Sequence, residues 1–187
     1  MGNFYVNFTI RGVTQHAAAE ALSGRRAIVS PPVNGAVVVF DSRSDEQDEG
    51  VIRDLASQLS KKLGAAVLAV MNHDDDIFWY ELYESGKRID EYNSSPGYFD
   101  WDGEGEMPGP AGGDAKALCR VFGCKDAAAV ETILRKSGED GYVFAVQRHG
   151  DLVEALGLPG FAVGVSYEGF DENMAEGFAE GEVVRTG

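Results

Sequence analysis

The chain has 187 residues, of which 44% are hydrophobic and 25% are charged. Its length provides for one large domain or two small ones with a buried core, and its composition is that of a globular protein rather than a disordered one. No apolar run approaches the roughly 20 residues needed to cross a bilayer, and the first residues lack the pattern of a secretory signal. We therefore expect a cytoplasmic protein that does not bind membranes.

The chain is strongly acidic, with 31 Asp and Glu residues, 16 Lys and Arg residues and a formal net charge of −15. The excess is larger in the second half, where residues 93–187 carry 17 acidic and 7 basic side chains. A surface of this sign repels phosphate backbones, so we expect no binding of nucleic acid. The charge favours a basic protein partner, or it serves only to keep the protein soluble.

Residues 1–93 alternate between strand and helix signals. Residues 4–10 alternate aromatic or branched side chains with polar ones, as a half-buried strand does, and 36–40 is a continuous apolar run typical of a strand covered on both faces. The predicted order is a strand over 4–10, a helix over 14–22, strands over 27–30 and 36–40, a helix ending at Gly64 and a strand over 65–71.

The helix that ends at Gly64 has the clearest pattern in the chain. Ser44 and Gln47 match a capping box, so the helix is expected to begin there, and Gly64 is a typical helix terminator. Its apolar stripe consists of Val51, Ile52, Leu55, Leu59 and Leu63.

The order βαββαβ is that of a ferredoxin-like split βαβ unit. Two further strands, over 77–84 and 87–93, are expected to form a hairpin across Ser85 and Gly86. We therefore predict a ferredoxin-like domain with a β-hairpin extension in residues 1–93.

Residues 94–113 are rich in glycine, proline and acidic side chains, which predicts a linker or a long ordered loop. After it, Asp114 and Asp126 can each cap a helix. Cys119 and Cys124 lie in this helical region with a C-x4-C spacing that is neither that of a zinc pair nor that of a redox C-x-x-C motif. We expect both to be free thiols in a reducing cytoplasm.

The last part of the chain predicts a small βαβ element. The apolar runs 142–146 and 161–167 have the composition of strands, a helix is predicted over 151–156, and the acidic tail 168–187 is expected to be frayed. The whole chain is thus predicted to be α+β: a ferredoxin-like βαββαβ core with a hairpin extension, then a helical segment and a small βαβ element. The sequence leaves open whether residues 114–187 pack on the first sheet.

Asn72, His73, Asp74, Asp75 and Asp76 form the densest group of chemically capable side chains. Because Asp and Asn form hydrogen bonds with nearby backbone in tight turns, this segment between two predicted strands is typical of a turn. The alternative is a metal-dependent site in which His73 and Asp75 are catalytic and a divalent cation binds carboxylates. The candidate metal ligands are Asp74, Asp76, Asp100 and Asp102.

His149 is the second candidate catalytic residue. With Arg148 and Asp151, it follows a predicted strand and precedes a predicted helix, a place where ligands collect in α/β proteins. The alternative is a structural cap.

Tyr98, Phe99 and Trp101 form an aromatic group within the predicted loop. These side chains either fix the loop onto the first domain or anchor a partner, since Tyr and Trp are enriched among the residues that dominate binding energy.

Several motifs of known chemistry are absent from the sequence. The chain has no phosphate-binding G-x-x-x-x-G-K-[ST] loop, no G-x-G-x-x-G, no H-E-x-x-H and no G-x-S-x-G. Its three histidines are too few for enzymes that depend on several of them. No cofactor is predicted, apart from the divalent cation of the metal-dependent alternative.

The segments MGNFY, NHDDDIFWY and DEYNSSPGYF resemble segments of a group of short bacterial proteins, and the likeness continues into VQRHGDLVEALGLP. The resemblance implies a bacterial cytosolic protein. It assigns no catalytic residue.

The leading hypothesis is a non-catalytic protein-interaction module, such as an immunity or regulatory protein, that binds a basic partner. The first alternative is a metal-dependent enzyme that uses His73 and the neighbouring aspartates. The second is a small-ligand sensor with a cavity near Trp79, Tyr83 or Tyr98 between the sheet and the helical segment.

Overall fold

The computed structural model describes residues 2–100, 102, 104–105, 108–173, 178–179 and 181–187. Within these residues the fold is mixed α+β, with an eight-stranded antiparallel sheet at its centre. The strands are β1 (Tyr5–Arg11), β2 (Ala27–Val29), β3 (Ala36–Asp41), β4 (Val67–His73), β5 (Ile77–Glu84), β6 (Lys87–Asn93), β7 (Ala111–Gly112) and β8 (Val184–Thr186). Their order across the sheet is β7-β6-β5-β4-β1-β3-β2-β8.

Six α-helices are present in the same residues. They are α1 (Gln15–Ala21), α2 (Glu49–Leu63), α3 (Ala115–Phe122), α4 (Ala127–Arg135), α5 (Ala145–Leu156) and α6 (Tyr167–Asn173). Among the residues described above, no helix combines the length and the apolar character that a membrane span requires.

Different helices cover the two faces of the sheet. In β1, Val6, Phe8 and Ile10 belong to the core formed with α1 and α2, whereas Tyr5 belongs to the core formed with α3, α4 and α5. The part of the second face that lies on β2 and β3 is covered by α6. All six residues of β3 are buried, as the continuous apolar run predicts for a strand covered on both faces.

The helix caps agree with the prediction at α3 and α4 and differ at α2. Thr14 caps α1, and Asp114 and Asp126 cap α3 and α4. At α2, however, the N-cap is Asp48, so the capping box predicted from Ser44 is wrong. The Ser44 hydroxyl instead donates to the carboxylate at the end of β3, over 2.8 Å.

The small βαβ element predicted near the end of the chain is wrong. Residues 142–146 form no strand, because α5 begins at Ala145, and 161–167 contain a short 3-10 turn that leads to α6 at Tyr167. Short apolar runs fit a buried helix as well as a strand, and periodicity alone does not separate the two. The tail is also more ordered than predicted, since β8 pairs with β2.

Cys119 and Cys124 are joined by a disulfide, with their Cα atoms 4.5 Å apart. The prediction of free thiols is therefore wrong. Gly123 lies between them with a positive φ of 76° and donates its N–H to the carbonyl of Cys119 at 2.8 Å. This left-handed residue ends α3 and reverses the chain, which brings the two sulfur atoms together.

Candidate interaction surface at the acidic turn

Residues 74–76, here called the acidic turn, connect β4 to β5. The N–H of Asp76 donates to the carbonyl of His73 at 3.0 Å, and Asp74 and Asp75 have φ values of 52° and 60°. Positive φ at both central positions is the conformation that tight hairpin turns favour, and Asp tolerates it better than most residues. The turn that the sequence predicts here is confirmed.

Asp75 forms hydrogen bonds with three separate parts of the chain. Its Oδ2 accepts from the backbone and side-chain nitrogens of Asn3, at 3.1 and 2.9 Å, and its Oδ1 accepts from Asn72 Nδ2 at 2.9 Å. Its carbonyl accepts from the N–H of Ala145 at 2.6 Å. Asp75 thus holds the N-terminal segment and the start of α5 against the end of β4.

The two flanking aspartates form further connections of the same kind. Asp74 Oδ1 accepts from the N–H of Gly2 at 3.1 Å, and Asp76 Oδ2 accepts from the Tyr98 hydroxyl at 2.8 Å. The hydrogen bond to Asp76 raises the pKa of Tyr98. A Cβ at Gly2 would lie only 2.2 Å from the carbonyl oxygen of Asp74, so this close approach requires glycine. Every donor to these carboxylates is an uncharged group.

His73 lies between two aromatic rings at the rim of the sheet. The ring of Phe4 is 4.9 Å from the His73 ring and the ring of Phe99 is 5.2 Å from it, both edge to face. His73 Nδ1 and Gln47 Oε1 are 2.6 Å apart, which fixes the imidazole against the start of α2. Phe99 is nevertheless 70% exposed and Phe4 is 47% exposed.

The exposed rings and the carboxylates form one surface at this end of the sheet. We call it the acidic-aromatic surface. It consists of Phe4, His73, Tyr98 and Phe99 together with Asp74, Asp75, Asp76 and Asp100. Of the aromatic group predicted as a binding element, Tyr98 and Phe99 are part of it, and Trp101 lies outside the described residues.

The candidate metal ligands do not form a group that could hold a metal ion, over the residues that the structure describes. Asp74 and Asp76 belong to the acidic turn, where each accepts from a protein donor, and Asp102 Oδ1 accepts from the N–H of Glu104 at 3.0 Å. Over the residues that the structure covers, no group of three or more His, Cys, Asp or Glu side chains could hold a metal ion. Asp100 is exposed beside Phe99.

His149, the other candidate catalytic residue, lies inside α5 rather than at its start. It is 2% exposed, the Tyr5 hydroxyl is 2.8 Å from its Nδ1, and its ring stacks on Phe78 at 5.0 Å. Burial lowers the pKa of His149 to about 3, so the imidazole is neutral near pH 7. It is part of the packed core beneath α5.

The neighbours of His149 have separate partners. Both Nη atoms of Arg148 donate to carbonyls at the end of α4, and Asp151 Oδ2 accepts from the Tyr142 hydroxyl at 2.6 Å. Arg148 is thus the cation at a helix C-terminus, a position that the helix dipole favours. The three residues do not converge on a common point as a catalytic group would.

Several residues at this end of the molecule lie elsewhere than their sequence pattern predicts. The pattern predicts Phe4 in a half-buried strand, whereas it precedes β1 and is exposed. It predicts Val143 and Phe144 in a strand, whereas they are 78% and 51% exposed just before α5. The only sequence signal for such a place is the polar, glycine-containing segment 137–141 directly before them.

The chain matches no protein-family model, no curated protein and no solved structure.

Proposed function

We propose that the protein is a non-catalytic interaction module that binds a basic protein partner through the acidic-aromatic surface. The observation that carries this proposal is that Phe4 and Phe99 are held in place by His73 and yet remain largely exposed beside four carboxylates.

Exposed aromatic rings at a fixed position support a binding role. Exposed apolar patches with a polar rim mark interaction sites, and large rigid side chains supply much of the binding energy at interfaces. The ring of Phe99 contacts both His73 and Tyr98, so little of its freedom remains to be lost on binding.

The charge of this surface supports a basic partner. Most arginines are neutralised within the molecule. Pairs of this kind are Arg25 with Asp41, Arg53 and Arg88 with Glu81, Arg120 with Glu84, and Arg135 with Glu131. None of the ion pairs between described residues includes Asp74, Asp75, Asp76 or Asp100. Their negative charge is therefore available to attract and orient a cationic surface.

We further infer that residues 1–93 contain a ferredoxin-like unit with a β-hairpin extension. Support comes from the adjacent order β4-β1-β3-β2 and from α1 and α2 on one face, which are the features of a split βαβ arrangement. An immunity or regulatory protein is the class of protein that this proposal favours, because such proteins act by binding.

The test compares two exposed apolar residues. The partner is first isolated on immobilised full-length protein at low salt and eluted with higher salt, and its dissociation constant is then measured with the purified components. We expect Phe99→Ser to weaken binding by at least about tenfold, as at an interface anchor. Ile89→Ser is the matched control, because Ile89 is 37% exposed on β6 and lies outside the surface.

Two results would count against the proposal. One is that no partner is released by salt. The other is that Phe99→Ser and Ile89→Ser leave the dissociation constant equally unchanged.

A further inference from the structure

A cavity of about 330 Å³ adjoins the acidic turn and is lined by residues of the turn, of the segment after β6, of the end of α4 and of α5. Phe4 and Phe99 do not line it. Ligand cavities generally measure about 300–1,000 Å³, so this one is of a size for a small molecule. Trp79 and Tyr83, near which a ligand cavity was predicted, are buried in the core and do not line it.

The lining of the cavity combines both signs of charge. Asp75 and Asp76 line it from the acidic turn, and Lys136 and Arg148 line it from the end of α4 and from α5. The two carboxylates accept hydrogen bonds from uncharged groups, Asn3 and Asn72 at Asp75 and Tyr98 at Asp76, and contribute negative potential. The lining also includes uncharged side chains with hydroxyl groups, which are Ser94, Ser137 and Tyr142.

The two cations are held in place by the same aromatic ring. Lys136 Nζ is 4.8 Å and Arg148 Cζ is 4.7 Å from the centre of the Tyr142 ring. The Nη atoms of Arg148 are engaged by backbone carbonyls, so this residue contributes positive potential. Lys136 is exposed and has a flexible ammonium group that can contact a bound molecule.

We propose that this cavity binds a small zwitterion of the size of a free α-amino acid. An anion alone would meet the two aspartates, and a cation alone would meet Lys136 and the potential of Arg148. A molecule that carries an ammonium and a carboxylate a few bonds apart can place each group near its opposite charge. Both charged groups of such a molecule then lie in a partly enclosed site, where contacts between opposite charges are stronger than in open water.

The cavity shares Asp75 and Asp76 with the acidic-aromatic surface, but Phe4 and Phe99 do not line it, and binding of a small molecule is measured without the proposed partner. It is tested by nuclear magnetic resonance titration of the full-length protein with three matched probes. L-norvaline carries both charges, pentanoate lacks the ammonium group, and butylamine lacks the carboxylate.

We expect L-norvaline to shift the backbone amide signals of Ser137, Gly141 and Tyr142 in a saturable manner. Pentanoate and butylamine are each expected to bind at least about tenfold more weakly, because each leaves one pair of charged groups without a partner. Lys136→Met should weaken L-norvaline binding by a similar factor, whereas Lys125→Met, at an exposed lysine that does not line the cavity, should not.

The absence of any saturable shift with L-norvaline would overturn the proposal. Equal binding of L-norvaline and either single-charge probe would overturn it as well, because the second charge would then contribute nothing.

Discussion

His149 is a histidine whose surroundings remove the chemistry that its type suggests. In the sequence it follows an arginine and precedes a glycine and an aspartate, a combination that also occurs at catalytic sites. In the structure the ring is enclosed by Tyr5, Phe78 and the helix that carries it, and its pKa is lowered to about 3 by burial alone. His149 therefore contributes packing to the core, and it makes the stability of the fold sensitive to acid.

This sensitivity gives a prediction with a definite sign. The imidazole stays neutral in the folded protein down to about pH 3, but in the unfolded chain it binds a proton below its ordinary pKa of about 6.5. The contribution of the neutral imidazole to the free energy of unfolding is therefore complete above pH 6.5. It is lost as the pH falls below this value. Between pH 7 and pH 5 we expect it to lower the free energy of unfolding by about 2 kcal/mol.

The measurement is urea unfolding at pH 7 and pH 5 for the wild type and for His149→Gln, which keeps a polar side chain but cannot titrate. Between the two pH values, the free energy of unfolding of the variant should fall by about 2 kcal/mol less than that of the wild type. His16→Gln serves as the control, because His16 is exposed on α1, where it pairs with the exposed Glu20. An equal loss in the wild type and in His149→Gln would contradict the assignment.

Helices and strands whose own residues carry the full pattern typical of that element could be predicted from the sequence. Strands β1, β3 and β4 show alternation or a continuous apolar run, and α3 and α4 have an Asp cap followed by apolar residues at helical spacing. The signal fails at 142–146 and 161–167 because a run of five to seven apolar residues has no helical or strand period of its own. In these segments, packing against the sheet determines whether a helix or a strand forms, and this packing cannot be read from the local sequence.

The end of α3 shows a second limit of local signals, since a C-x4-C spacing does not indicate whether the cysteines meet. The disulfide joins residues five positions apart. In the chain-entropy description, closing so short a loop stabilises the folded state by about 2 kcal/mol. We therefore expect Cys119→Ser/Cys124→Ser to lower the free energy of unfolding by about this amount, as measured by urea unfolding.

Reductant supplies the control for this prediction. It should destabilise the wild type by the same amount as the double substitution does and should leave the double variant unchanged. A wild type whose unfolding midpoint does not respond to reductant would show that the disulfide does not contribute to stability.

At the scale of the molecule, the candidate site is assembled from segments far apart in the chain. Residues near Asn3, 74, 98 and 145 meet at the acidic turn through hydrogen bonds that span 22 to 72 positions. The sequence predicts the turn itself, because Asp and Asn carry the local signal for it. It does not predict which exposed rings or cavity adjoin the turn, because these depend on how the helices pack on the sheet.

The same packing bears on the predicted domain of residues 1–93, for which the sequence leaves open whether residues 114–187 pack on its sheet. The second face of the sheet carries large side chains that pack with α3, α4 and α5. These are Leu68, Val70, Phe78, Tyr80 and Leu82. Burial of each such side chain is worth about 1.5–3 kcal/mol, so losing the cover removes a stabilisation as large as the whole net stability of a typical domain.

We therefore expect the fragment 1–93 to bind a hydrophobic dye and to lack a cooperative thermal transition, whereas the full chain unfolds in one transition with equal calorimetric and van't Hoff enthalpies. Adding the fragment 108–187 in excess should restore cooperative unfolding, because it supplies the three helices that cover the exposed face. A fragment 1–93 with a dispersed, native-like amide spectrum would instead show that the first face and its two helices suffice. The acidic-aromatic surface could then be studied without the C-terminal half of the chain.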